Sequence, residues 1–135
     1  MIKPISILIP LQFSEELGWS AWVQTRQSSD KLNGLLEFPG GKIEGAESPE
    51  EAACRETLEE AKIAVEQEEI LRFGQYQFPP LLIFVHLLED KKQLFSKSGY
   101  YPLTKLISKK SQIPPNNLVF LEDLRKRLQL LRSLK

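Results

Sequence analysis

Gly41-Lys42-Ile43-Glu44-Gly45-Ala46-Glu47-Ser48-Pro49-Glu50-Glu51-Ala52-Ala53-Cys54-Arg55-Glu56-Thr57-Leu58-Glu59-Glu60-Ala61 is the stretch on which the reading of this chain turns. Ser48-Pro49-Glu50-Glu51 starts a helix: the Ser48 hydroxyl can accept from the amide of Glu51, Glu51 can reach back to the amide of Ser48, and Pro49 takes the first helical position, where its missing N–H costs nothing. The spacing predicts a helix from Pro49 to about Lys62. At 100° per residue Glu56, Glu59 and Glu60 share one face, while Ala53, Cys54, Thr57, Leu58 and Ala61 cover most of the other. Two like charges about 5 Å apart repel by roughly 3 kcal/mol at an effective dielectric of 20, and no lysine at i+4 relieves Glu56 or Glu59. A divalent hard cation reverses the sign of that interaction, because Mg²⁺ prefers carboxylate oxygens and keeps part of its water shell.

Upstream, Pro39-Gly40-Gly41 reads as a tight loop whose glycines permit conformations other residues resist. Leu35 to Phe38 is a short extended run before it. Ile5 to Leu11, β-branched and bounded by prolines, reads as a strand, as do Trp19 to Thr25, Ile70 to Gln75 and Leu81 to Leu88; the last is a continuous apolar run of fully buried type. Leu118, Leu121, Leu124, Leu128 and Leu131 recur at helical spacing, which predicts a C-terminal helix over 118–134 with Asn116 or Asn117 as its N-cap after Pro114-Pro115. Strands, loop, helix, strands and helix in that order make an α/β (α+β) domain, a mixed sheet flanked by helices.

Gly41, Glu47, Arg55-Glu56 and Glu59-Glu60, at these separations, match the glycine and charged skeleton of the Nudix box. Glu37-Phe38-Pro39-Gly40-Gly41-Lys42-Ile43-Glu44 resembles the segment leading into that box in MutT-type members. The resemblance implies a Nudix-type α/β/α sandwich and water substitution at a phosphorus of a nucleoside diphosphate linked to a group X. It implies Mg²⁺, with Mn²⁺ able to substitute, held by Gly41, Glu56, Glu59 and Glu60. Arg55 lies about 100° around the wheel from Glu56 and is better placed to hold Glu47 than to touch a metal. Beyond the box, Arg26 stands twelve residues before Phe38 and Pro114-Pro115-Asn116-Asn117 resembles the Pro-Pro-x-Asn segment of MutT, which implies that Arg26 lies near the nucleotide and that Asn117 reads the base. Phe38, Lys42 and Phe78 complete the substrate-side candidates, Phe78 as the best stacking ring among Trp19, Trp22, Tyr76 and Phe78. Thr57 stands where the box has an aliphatic residue, and Lys62 where it has glycine, so the helix exit lacks an easy left-handed cap. Between Lys91 and Leu121 no Asp or Glu offers a general base, which leaves the helix, Glu89 or Asp90.

The MutT-like reading is cleavage of a (deoxy)nucleoside triphosphate to a monophosphate and pyrophosphate, a nucleotide-pool sanitation activity. Its rivals are hydrolysis of a nucleoside diphosphate sugar, a dinucleotide or an RNA 5′ end and, in another class, an inactive base-binding module. Length and composition agree. A chain of 135 residues, 41% hydrophobic and 27% charged, suits one domain over residues 1–135. It carries no long apolar stretch and no secretory leader, so a cytoplasmic protein without membrane association is expected. Zero net charge argues against a stable nucleic-acid partner, leaving a nucleotide substrate and a monomer or homodimer. The charge is segregated, with 11 acidic residues between Glu37 and Glu69 and 11 basic residues from Lys91 on. A single cysteine, Cys54, excludes an internal disulfide and reads as a buried thiol. His86, on an apolar strand, reads as a partly buried structural histidine.

Overall fold

A computed structural model describes the backbone of residues 1–133 and the side chains of residues 1–129. The sheet runs through β1 (Lys3–Ser14), β2 (Gly18–Trp22), β5 (Gly40–Lys42), β6 (Ile70–Phe78), β7 (Leu81–Glu89) and β8 (Tyr100–Pro102). Its order is β6-β7-β1-β2-β8, with β5 also pairing β1. Only β1 and β7 run parallel, so the sheet is mixed. β3 (Gln24–Thr25) and β4 (Leu36–Glu37) form a separate two-stranded ribbon. The helices are α1 (Pro49–Ala61), α2 (Leu103–Ser108) and α3 (Pro115–Ser133).

The alternation of β1 divides the interior into two cores. Ile7, Ile9 and Leu11 point to the side covered by α2 and α3, where they join Ile83, Val85, Leu106, Phe120, Leu121 and Leu124. Leu8 points the other way, to a smaller core with Trp22, Val65, Leu88 and Phe95, against which Cys54 and Ala61 of α1 pack. Cys54 is thus half-buried, and its thiol is pushed up by burial, then by the charges of nearby glutamates. Both faces of β1 and β7 are covered, which is why their sequences read as continuous apolar runs. The expected α/β/α sandwich is what the chain forms. Among the described residues no helix is long and apolar enough to cross a membrane.

Several elements differ from the sequence reading, each for a local reason. β1 runs straight through Pro10. Leu8 donates its amide to the Pro39 carbonyl, 2.9 Å away, on the side where β1 changes partner from β5 to β2. Two residues on, the nitrogen of Pro10 faces that same gap, so its missing donor breaks no ladder. The segment Trp19 to Thr25 is two strands, because β8 holds only Ser20 to Trp22 in the sheet. Neither asparagine caps α3: the helix begins at Pro115, Asn117 lies in its first turn, and its amide donates to the Pro114 carbonyl at 2.9 Å. Proline at the first position replaces a side-chain cap. The side chain of Leu131 and the predicted helix end at Leu134 lie outside the described residues.

α1 is as its capping residues dictate: Glu51 donates to the Ser48 hydroxyl at 3.0 Å, and Ser48 donates to Glu51 Oε1 at 2.8 Å. It fully buries only Ala52, Ala53 and Thr57. Leu58, placed by the wheel on the packed side, is 52% exposed. Burial of a methyl-sized group is worth about 0.8 kcal/mol, against at least about 1 kcal/mol to order each residue's backbone, so apolar packing alone does not hold this helix. Polar ties to its surroundings carry a large share. At its end Lys62 adopts the left-handed conformation (φ 61°, ψ 32°) that glycine would take more easily. Its amide donates to the Leu58 carbonyl and its Nζ to that of Glu59, which offsets the steric cost.

Candidate active site

The glycines before α1 serve close approach rather than an unusual turn. Gly40 and Gly41 are strand residues, paired with Ile7 and Ser6, and neither has a positive φ. A Cβ on Gly40 would collide with the Ser6 carbonyl and the Ile7 backbone. One on Gly41 would sit 2.6 Å from Oε1 and 2.8 Å from Oε2 of Glu56. The glycine strand and the acidic helix face therefore touch, and they touch through a carboxylate.

Arg55 organises that face. Its Nε and Nη2 donate to the two oxygens of Glu47, at 2.6 Å and 3.0 Å, and Nη2 also donates to the Lys42 carbonyl at 2.9 Å. Nη1 donates to Glu56 at 2.9 Å and approaches Glu59 at 3.3 Å. Glu47 holds its other donor locally, from the amide of Glu44 at 2.9 Å. The Arg55 guanidinium, then that amide, hold the Glu47 carboxyl below the usual range, while Glu47 and then Glu56 raise the already high pKa of Arg55. The planar fork thus ties the loop before α1 to its acidic face, a task lysine cannot perform.

Glu60 turns inward and accepts from the Gly40 amide at 2.7 Å. Although much of the residue is open to solvent, the carboxyl end lies against backbone. Its pKa is pushed up to about 7, first by that burial and then by the charges of Glu37 and Glu56, against the Gly40 amide, which lowers it. Glu59 is open to solvent, its side chain 58% exposed.

No three acidic or histidine side chains among the described residues converge into a closed metal cage. The residues nonetheless fit a Mg²⁺ ion, which keeps several waters and takes only one or two carboxylates from a protein. Glu56 lies in the space a Cβ at Gly41 would fill, and Glu60 lies on the Gly40 amide. Two carboxylates of the helix thus stand against the glycine strand.

The substrate-side candidates are placed unevenly. Arg26 lies at the end of the β3–β4 ribbon, its Nη1 on Glu37 at 2.9 Å and its Nη2 on Asp30 at 3.1 Å. Phe38 is 4% exposed and packs against Phe120, ring centroids 6.3 Å apart, so its ring belongs to the core. Lys42 contributes its carbonyl to Arg55. Phe78 stacks on Tyr76, centroids 6.5 Å apart and planes within 7°, and Tyr76 meets Phe120 at 5.5 Å. Asn117 is one helical turn before Phe120, at the same face of α3. The rings link Phe78 to Phe38 through Tyr76 and Phe120; Arg26 bonds Glu37 and bears on Glu60 by its charge.

Sequence reasoning passed over Glu37 as a site residue, although its charge influences Glu60; its position just before Phe38-Pro39-Gly40 was the available signal. Asp90 is not free to act as a base. It is 4% exposed, accepts from the amides of Leu94 and Phe95, and binds the Tyr100 hydroxyl at 2.8 Å. It closes the loop after β7, where Leu11 pairs with Glu89, several residues beyond the Ser6–Gly41 pair.

The NUDIX domain family matches residues 5–124. The chain belongs to the Nudix family, and the class of protein so defined is a pyrophosphohydrolase. It is 36% identical over 83 residues to an 8-oxo-dGTP diphosphatase of Proteus vulgaris, covering 59% of this chain and 74% of that one. To the 8-oxo-dGTP diphosphatase of Escherichia coli (strain K12) it is 43% identical over 56 residues, covering 41% of this chain and 43% of the relative. A mutT/nudix family protein from Listeria innocua shares the fold across 98% of both chains, with a TM-score of 0.75 at 18% identity. A MutT structure from a study of Aliivibrio salmonicida and Vibrio cholerae has a TM-score of 0.67 at 26% identity, covering 93% of this chain and 99% of that one.

Proposed function

We propose that this chain is a Mg²⁺-dependent enzyme that hydrolyses a purine (deoxy)nucleoside triphosphate to the monophosphate and pyrophosphate. The single observation that carries the reading is the contact of Glu56 with Gly41 beside the Glu60–Gly40 hydrogen bond. One or more Mg²⁺ ions, each taking one or two carboxylates and keeping part of its water, would be held by Glu56, Glu59, Glu60 and the Gly41 carbonyl. Bound there, the metal supplies an acidified water and neutralises charge on the phosphoryl group under attack.

The protein's own residues do the rest. Arg55 fixes Glu47 and Glu56, so the carboxylate face is ordered before substrate arrives. Glu60, anchored on the Gly40 amide, holds the end of that face against the glycine strand. Phe78 offers a face to a base, and the amide of Asn117, no longer spent as a helix cap, can donate and accept at a purine edge. Arg26 orients Glu37. The names of the curated relatives put oxidised purine triphosphates first among substrates to try.

A panel of nucleoside triphosphates, 8-oxo-dGTP, nucleoside diphosphate sugars, dinucleotides and triphosphorylated RNA 5′ ends tests the reading, with products separated as monophosphate and pyrophosphate. Pyrophosphate from a purine triphosphate, lost in Glu59→Gln, is the expected result. Selective turnover of a sugar nucleotide, dinucleotide or RNA end would replace the substrate, and tight base binding without turnover would favour a binding module.

A further inference from the structure

The first turn of α1 meets the sheet through a buried polar contact that the proposed chemistry does not use. His86, in β7, is fully buried. Its Nδ1 lies 3.1 Å from the Ile7 carbonyl oxygen and its Nε2 3.0 Å from Glu50 Oε2. Ser6 Oγ is 3.4 Å from Nδ1, but its own proton is given to the Pro49 carbonyl at 2.6 Å. Toward the imidazole the serine presents only lone pairs. From β6, Arg72 grips Glu50 with both prongs, Nε on Oε2 at 2.8 Å and Nη2 on Oε1 at 2.9 Å, which holds the Glu50 carboxyl below its usual range. Glu50 is then a carboxylate, an acceptor only.

Glu50 can only accept, so Nε2 carries the proton of that contact. Arg72, the cross-strand partner of His86 on β6, is a cation already spent on the same carboxylate. β1 supplies Ser6 and the Ile7 carbonyl to this contact, and the same two residues pair with Gly41 and Gly40 of β5. The histidine therefore docks the start of α1 on the strand that carries the glycines. Glu56 to Glu60 follow on the same helix, about 9 to 15 Å along its axis at 1.5 Å per residue, so a change of tilt at Glu50 moves them relative to Gly41.

We propose that His86, donating from Nε2 to Glu50, is a positioning residue that docks the first turn of α1 and so sets the carboxylates against the glycine strand. This rests on the metal-dependent hydrolase reading above. His86 is the only histidine in the chain, so nitrogen-15 NMR of the metal-free protein reports on it alone. A proton on Nε2, facing Glu50, is expected; a bare Nε2 overturns the proposal.

Mg²⁺ affinity, by calorimetry and by half-maximal activation of pyrophosphate release, is the second readout. His86→Leu should weaken it about tenfold, the scale of lost orienting contacts around a metal. His86→Gln, whose amide can still donate to Glu50, should recover most of that. Glu50→Gln should weaken it as His86→Leu does, and it serves as the test if the leucine variant does not fold. Unchanged Mg²⁺ affinity in these variants, with only a lowered melting temperature, would reduce His86 to packing and overturn the proposal. If the wild type cleaves no nucleotide, the hydrolase reading fails by itself, and NMR with calorimetry still decides the role of His86.

Discussion

Gly41→Ala separates chemistry from folding. The new Cβ would lie 2.6 Å from Glu56 Oε1, and ordinary contact begins at 3.4 Å, so the carboxylate must retreat by about 0.8 Å. What moves is the end of a flexible side chain, and β5 itself is untouched, so stability should change by less than about 1 kcal/mol. The catalytic cost is larger. A misplacement near 1 Å costs on the order of 100-fold in rate, or about 2.7 kcal/mol of barrier. Gly40→Ala is the opposite case: its Cβ meets the backbone of Ser6 and Ile7, which cannot give way without moving β1, so it should destabilise by roughly 1 to 3 kcal/mol or more. Pyrophosphate release at saturating Mg²⁺ and urea unfolding, measured on both variants, give the comparison. Gly41→Ala with activity within twofold of wild type would refute the reasoning, as would a Gly40→Ala protein as stable as wild type.

Three further outcomes follow from the same contacts. Because the Glu60 pKa is raised from 4.5 to about 7, the folded metal-free protein holds a proton that the unfolded chain has released, so its stability should fall as pH rises through that window; urea midpoints at pH 5 and pH 8 should differ in that sense, and Glu60→Gln should flatten the difference. Thr57→Val removes a buried hydroxyl bonded to the Ala53 carbonyl at 2.7 Å while keeping its shape, so melting should report a change under about 1 kcal/mol with turnover unaltered. Lys62→Gly relieves a left-handed residue at φ 61° and should raise stability by about 1 kcal/mol, less any loss from the Nζ–Glu59 contact, again by urea unfolding.

What could be read in the sequence was what local chemistry determines. The capping box starts α1 at Pro49 because serine, proline and glutamate act within one turn, and the helical period then places the three glutamates without reference to the rest of the chain. The apolar runs of β1 and β7 announce a doubly covered sheet. What escaped depends on partners distant in sequence. Pro10 sits harmlessly inside β1 only because β5 and β2 leave a gap there. The role of Gly41 depends on Glu56 arriving from α1. His86 finds Glu50 across 36 residues and Ile7 across 79, and no spacing rule foretells either. Asn117 shows the converse, a good cap by local rule displaced by the proline two residues before it.

On the proposed function the carboxylate face of α1, pressed to the glycine strand, holds a divalent cation against a polyphosphate. Mg²⁺ titration of wild type and Glu56→Gln, followed together by calorimetry and by pyrophosphate release, addresses this most directly. Expected are no hydrolysis in excess chelator, recovery on adding Mg²⁺, and loss of both binding and turnover by about 100-fold in the variant. Full activity in chelator, or a Glu56→Gln protein that binds Mg²⁺ and turns over like wild type, would contradict that function.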